Sequence, residues 1–267
     1  MPHLDVTLFG GFQVALDGKP LTPFRTDKNR ALLAYLALES DRRHRREALA
    51  ALLWPAKPKS AARNSLRQAL FHLRHLLPEG PDDAPYLIIT NKQVQFNPTS
   101  DHWIDVVEFN SLVSACRAHN SEDSQLGAVC LERLRRAVAL YEGEMLEGLT
   151  LPWCVQFTEW QIFTQQECHC QALTALSLLT DYFEANRRYG ELLACTRQKI
   201  RLEPWRESAY RRQMWALAMT GRREEALLQY ELLCRVLQAE IGIPPTARTT
   251  RLYDAIRDGA LPRQRPV

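Results

Sequence analysis

A long apolar run is the first thing this chain of 267 residues lacks: nothing in it approaches the ~18 apolar residues that a membrane-crossing helix needs, so no membrane partner is expected. Its opening residues, MPHLDVTLFGGF, have neither the basic region nor the apolar stretch of a secretory leader. That points to the cytoplasm and to seven cysteines kept as free thiols. No G-x-x-x-x-G-K-[ST] occurs, because Gly18-Lys19 is followed by Pro20, which excludes a phosphate loop. Cys168-His169-Cys170 has metal-ligand chemistry, but successive helical positions point apart and no second Cys or His pair stands at ligand spacing. Glu142 and Glu144 flank a glycine at what reads as a helix end, with no nucleophile or base beside them. With no catalytic constellation, neither enzymatic activity nor a cofactor or metal is expected.

Acid is missing from one particular place. Residues 60–77, SAARNSLRQALFHLRHLL, contain no Asp or Glu, although a surface helix of this length ordinarily interleaves acids with bases for i,i+4 pairing. The deficit sits in a wider charge asymmetry. Residues 1–98 hold 14 basic and 9 acidic side chains, whereas residues 99–267 hold 20 and 22. Within residues 25–77 there are 12 basic and 4 acidic side chains, a balance that suits a polyanion.

What is present reads as two domains. Hydrophobic content of 46% and charge of 24% are ordinary for a globular protein, and the length suffices for two cores. Leu4, Val6 and Leu8 alternate with polar residues, Phe12, Val14 and Leu16 alternate again with smaller or polar ones, and Gly10-Gly11 and Asp17-Gly18 read as two-residue hairpin turns. Helical periodicity begins after Thr26, an N-cap candidate, with a second short helix in RREALAALLW. After PAKPKS, Ser60 is expected to cap a third helix running to Leu77 and stopped by Pro78. YLIITNKQVQF then reads as a hairpin around Asn91-Lys92.

From Trp103 onward the pattern is almost wholly helical, beginning with HWIDVVEFNSLVSAC. Trp103, Trp153, Trp160, Trp205 and Trp215 are expected in cores or seams. Two units match at an offset of 35, pairing Leu179 with Met214, Arg187 with Arg222 and Leu192 with Leu227, close to the 34-residue tetratricopeptide period. LPRQRPV, residues 261–267, has linker composition.

Winding residues 60–77 at about 100° per residue puts Ala62, Leu66, Ala69, Leu70, Leu73 and Leu77 within about 60° of one line. Asn64, Gln68 and His75 fall at the opposite pole, flanked by Arg67, Phe71 and His72, with Arg63 and Arg74 nearer the seam. These are residue types that read the major groove: Arg for guanine, Asn or Gln for adenine, an apolar group for the thymine methyl.

The order of sheet, three helices and hairpin resembles the OmpR-type winged helix, with RNSLRQALFHLRHLL in the place of its recognition helix. LLWP, that helix, WIDVVEFNSLV, AVALYEGEML, LEPWRESAYRRQMWALAMTGRREEALLQYELLCRVLQAEIGIPP and TRLYDAI together resemble the SARP family of bacterial transcriptional activators. The resemblance implies a mainly α fold with a small β part: a winged-helix DNA-binding domain over 1–98, an all-helical, tetratricopeptide-like bacterial transcriptional activator domain over 99–260, and a linker or tail over 261–267. It implies binding of duplex DNA, commonly at direct repeats, with base contacts from Arg67, Gln68, Phe71 and His75, and phosphate contacts from Arg63, His72 and Arg74. Lys92 and Gln93 become wing contacts, and Asn64 takes either role. Phe71 and His72 stand where the family is more usually Arg-rich. RNA polymerase is implied as a partner facing WPAKPKSA, and the helical part implies a homodimer or coupling to a C-terminal ATPase domain of a longer chain. The rival reading is a protein-interaction scaffold without direct DNA binding, and the basic surplus over residues 25–77 favours DNA.

Overall fold

A computed structural model of the chain describes residues 2–77, 84–119 and 127–260. The alternating start forms β1 (Leu4–Thr7) and β2 (Gln13–Leu16), antiparallel from Leu4↔Leu16 to Thr7↔Gln13. Asp17 and Gly18 both take positive φ, 49° and 73°, as a primed two-residue turn requires, and β3 (Lys19–Pro20) returns along β2. Gly10-Gly11 is not such a turn. It lies within the connection 8–12, where the backbone passes so near residue 143 that a Cβ on Gly143 would stand 2.9 Å from the Cα of Gly10. Gly143, between the two glutamates, is therefore a site of close backbone approach. The Gly10 amide donates to the Glu144 carbonyl there at 3.0 Å.

The same connection is anchored by a buried carboxylate. The Leu8 and Phe9 amides both donate to Oδ2 of Asp105 at 2.8 Å, and the Val106 amide donates to Oδ1 at 2.7 Å. Asp105 opens α4 (Asp105–His119), and β7 (His102–Ile104) leads into it, pairing parallel with β1. HWIDVVEF thus begins as a strand: Ile104 is a buried strand residue, whereas Val107 is 44% exposed. The sheet order is β3-β2-β1-β7.

Next come α1 (Asp27–Leu38), β4 (His44–Arg45), α2 (Arg46–Leu53), α3 (Lys59–Leu76), β5 (Leu87–Ile89) and β6 (Gln93–Phe96). Thr26 caps α1, its side chain accepting from the Asn29 amide. Ser60 does not cap α3. Pro58 is the N-cap, its carbonyl accepting from the Ala62 amide at 2.9 Å, so the helix starts two residues before the position a serine cap would set. At the other end Leu77, preceding Pro78, has ψ 76°, outside the helical region that a following proline disfavours. Residues 78–83 lie outside the described residues, Pro78 among them. Leu32, Leu33 and Leu36 of α1, Leu49 and Leu53 of α2, Leu66, Leu70 and Leu73 of α3 and Val94 and Phe96 of β6 are all buried. A second sheet, β4-β6-β5, closes the winged helix.

The remaining elements are α5 (Ala128–Leu140), α6 (Val155–Ala185), α7 (Tyr189–Leu202), α8 (Glu207–Met219), α9 (Arg223–Glu240) and α10 (Ala247–Arg257). By contacts the chain divides into Met1–Ser114 with Arg136–Cys170, and Ala115–Arg135 with Gln171–Val267. Residue 98 falls inside the first unit, where Phe9 packs edge-on to Phe109 and Tyr141 at 5.3 and 5.0 Å.

In the second unit the repeat is visible, with a period of 34 rather than 35. Helices α7 and α9 start 34 residues apart, at Tyr189 and Arg223. The Arg188 amide donates to Phe183 at 2.8 Å and the Arg222 amide to Leu217 at 2.9 Å, while Arg187 and Gly221 take φ 54° and 76°. Arg188 then pairs with Glu191, and Arg222 with Glu225. Among the tryptophans, Trp215 is buried, but Trp153 and Trp205 are 85% and 47% exposed, contrary to the expected core positions. All seven cysteines are free, with Cys168 buried and Cys170, two residues on along α6, exposed. No described helix is long and apolar enough to cross a membrane.

Candidate nucleic-acid interface

The apolar seam of α3 settles onto the core through Ala62, Leu66, Ala69, Leu70 and Leu73 and turns the rest outward. Arg63, Asn64, Arg67, Gln68, Phe71, Arg74 and His75 are all exposed on one helix. The face is organised rather than loose. Arg67 Nη2 donates to Asn64 Oδ1 at 2.7 Å, so a neutral amide, not a carboxylate, holds the guanidinium. His75 Nδ1 donates to the carbonyl of Phe71 at 2.9 Å, and the two rings lie 4.2 Å apart at 44°. Phe71 is nevertheless 65% exposed. His72 is half-buried at the margin, with Nε2 donating to the Pro23 carbonyl at 2.9 Å, and so also holds the segment before α1.

The wing is tied to α2. The Arg46 amide donates to the Lys92 carbonyl at 3.0 Å, Arg46 Nη1 reaches the Thr90 carbonyl at 3.2 Å, and Arg45 pairs with Gln93 in the β4–β6 ladder. Thr90 closes the turn, its hydroxyl accepting from the Gln93 amide at 2.9 Å and its own amide donating to the Gln93 carbonyl at 2.9 Å. Lys92 is exposed at the tip and Gln93 is half-buried.

Between the first half of α3, the start of α2 and this turn runs an open groove of about 1470 Å³. Arg45, Arg46, Arg63, Arg67 and Lys92 line it, against one carboxylate, Glu47. Glu47 Oε1 accepts from Arg63 Nη2 at 2.7 Å, although both side chains are largely exposed. Phe71, His72, Arg74 and His75 are not among the groove's lining residues and belong to the far half of the helix. Arg45, Arg46 and Glu47 join the groove from outside the α3 and wing patterns. Their signal is the run RRHRRE at 42–47, and only the two-residue strand β4 brings it to the groove. Cations closely spaced along a concave wall, with a single acid, create a positive potential suited to a phosphate backbone.

Among the described residues no group of His, Cys, Asp or Glu could hold a metal ion. The sequence profile of the bacterial transcriptional activator domain matches residues 104–257. The chain is 28% identical to the regulatory protein AfsR of Streptomyces coelicolor, over 90% of this chain and 23% of that protein. It is 27% identical to the transcriptional regulatory protein EmbR of Mycobacterium tuberculosis, over 99% of this chain and 65% of that one. A solved structure of Mycobacterium tuberculosis EmbR, in complex with a low-affinity phosphopeptide, superposes with a TM-score of 0.66 at 24% identity, covering 100% of this chain and 67% of that one. The chain thus spans about a quarter of the first relative and two thirds of the second. Its fold is mainly α with a small β part, a winged helix followed by tetratricopeptide-like helices, and the chain belongs to the bacterial transcriptional activator domain family, in the winged-helix-first order of SARP-type regulators.

Proposed function

We propose that this chain is the DNA-binding and coupling part of a transcriptional regulator, an activator by its family, with residues 1–98 reading promoter duplex and residues 99–260 coupling to partners or to a second copy. The observation that carries the reading is the exposed, acid-free face of α3 beside a groove lined by five cations. On this reading α3 lies in the major groove and Arg67, Gln68, Phe71 and His75 meet base edges, with Asn64 orienting Arg67. Arg63, His72 and Arg74 hold phosphates, joined by Arg45 and Arg46, and Lys92 and Gln93 bring the wing to the backbone. The segment 54–61 faces RNA polymerase. The role is one of binding, and no chemistry is assigned to the chain. The linker or tail expected over residues 261–267 lies outside the described residues.

Retardation of mixed genomic duplex, followed by selection of bound sites from random duplexes, tests the reading: a recovered motif is expected, and no retardation at low salt contradicts it. The scaffold alternative predicts that second result.

Glu47 supplies a finer expectation. Its carboxylate neutralises Arg63 inside the groove. Glu47→Gln should therefore tighten binding to random duplex severalfold and steepen the salt dependence by about one phosphate's worth, a slope change of ~0.9 in log K against log salt. An unchanged slope would remove Arg63 from the set of phosphate contacts.

A further inference from the structure

We propose that Phe71, backed by His75, reads the C5-methyl group of a pyrimidine in the major groove, so that one position of the preferred site is thymine because of its methyl. The inference rests on the DNA-reading assignment above and goes past it to the chemical group recognised. Phe71 is 65% exposed on a helix whose apolar seam already carries the packing, so the core does not account for it. Its ring is held in place: His75, one turn on, packs against it at 4.2 Å and is itself fixed by the Nδ1 bond to the Phe71 carbonyl. A rigid aromatic pair on the outer face of the helix loses little freedom when it is covered, which is what a contact surface needs.

The major groove narrows the choice of what covers it. Its base edges present donors and acceptors, and the one apolar group among them is the C5-methyl of thymine. A phenyl ring aimed into that groove has this group as its complement. Cytosine lacks the methyl, and purines offer only polar edges.

Position follows from helix geometry. Arg67, Phe71 and His75 form one i,i+4 row, and four residues rise about 6 Å, close to two base-pair steps of about 3.4 Å. With α3 along the groove, the methyl stands within about two base pairs of the guanine that Arg67 reads.

Chemical substitution in the duplex tests this with the full chain. In the selected site each thymine is replaced in turn by deoxyuridine, which removes only the methyl. Separately, the thymine at the sensitive position is replaced by cytosine or by 5-methylcytosine. At one position in each repeat of the site, within about two base pairs of the base whose identity ceases to matter in Arg67→Ala, deoxyuridine should lower affinity about threefold to fivefold, the worth of one buried methyl. There 5-methylcytosine should bind more tightly than cytosine by a similar factor. Phe71→Ala should lose the same factor on the thymine duplex and become indifferent to deoxyuridine, with its salt dependence unchanged. Sensitivity to deoxyuridine that persists in Phe71→Ala, or its absence at every thymine of a site the chain does select, overturns this inference alone. Failure to select any site or to bind duplex at low salt overturns the DNA reading and this inference with it.

Discussion

Arg67→Ala is expected to lower affinity for the selected duplex about 5- to 150-fold, ~1–3 kcal/mol, while lowering affinity for random duplex far less. Arg67 stands exposed on α3 and is aligned by Asn64 at 2.7 Å, so its guanidinium is presented in one orientation without a competing negative charge. A bidentate contact to guanine is made only where guanine occurs, and its loss is felt only there. Lys92, exposed at the tip of the β5–β6 turn, gives the contrast. Its ammonium is a point charge beside the backbone, so Lys92→Ala should weaken all sequences alike and lower the salt slope by about one. Asn64→Ala should fall between, since it releases Arg67 without removing it. Competition binding with selected and random duplexes separates these outcomes, and equal losses for both variants on both DNAs would overturn the sorting of contacts.

Asp105→Ala is expected to destabilise the chain by about 3 kcal/mol or more, because the carboxylate accepts from three backbone amides, Leu8, Phe9 and Val106, and each orphaned buried donor costs ~1–3 kcal/mol. The residue is 2% exposed, so the three amides lie away from bulk water. A fall in Tm of roughly 6–12 °C follows for a chain of this size. Burial raises the Asp105 carboxyl above its ordinary 3.8 even though these amides pull the other way. The folded state therefore binds that proton more tightly than the unfolded one, and this contribution is complete below pH 3.8 and lost as pH rises through the raised value. Asp105→Asn keeps one acceptor oxygen and has no proton to lose. Its deficit against the wild type should be largest near pH 4 and shrink toward pH 7, which thermal melts across that range would show. A deficit that grows with pH would contradict the assignment of burial as the dominant effect.

Local signals made much of this legible. Leu4 and Val6 point into the core because a strand alternates, Asp17-Gly18 turns because both positions need positive φ, and Thr26 caps because its oxygen reaches the Asn29 amide. The outward face of α3 was readable for the same reason, since one helix carries it whole. What could not be read depends on partners far along the chain. β4 has two residues and β7 three, too few for any period, and they exist because Val94 and Leu4 pair with them. Without β4 nothing in the sequence carries Arg45 and Arg46 to the α3 groove. Gly10-Gly11 has the composition of a tight turn, and only the close pass at Gly143 reveals its different use. Sequence matching alone does not separate an offset of 35 from one of 34, because Arg187 and Arg188 are adjacent and identical, whereas the turn geometry and the Glu191 pairing single out Arg188 as the counterpart of Arg222. Trp153 and Trp205 read as core residues by type, and exposure is a property of their surroundings.

The central claim is that an array of cations on α3, α2 and the wing meets duplex phosphate. Its most direct test is the affinity of the full chain for its selected duplex as a function of salt. With ~6 phosphates contacted, affinity should fall roughly a thousandfold between 50 and 200 mM monovalent salt, with log K linear in log salt. An affinity that changes by less than about twofold across that range would contradict it.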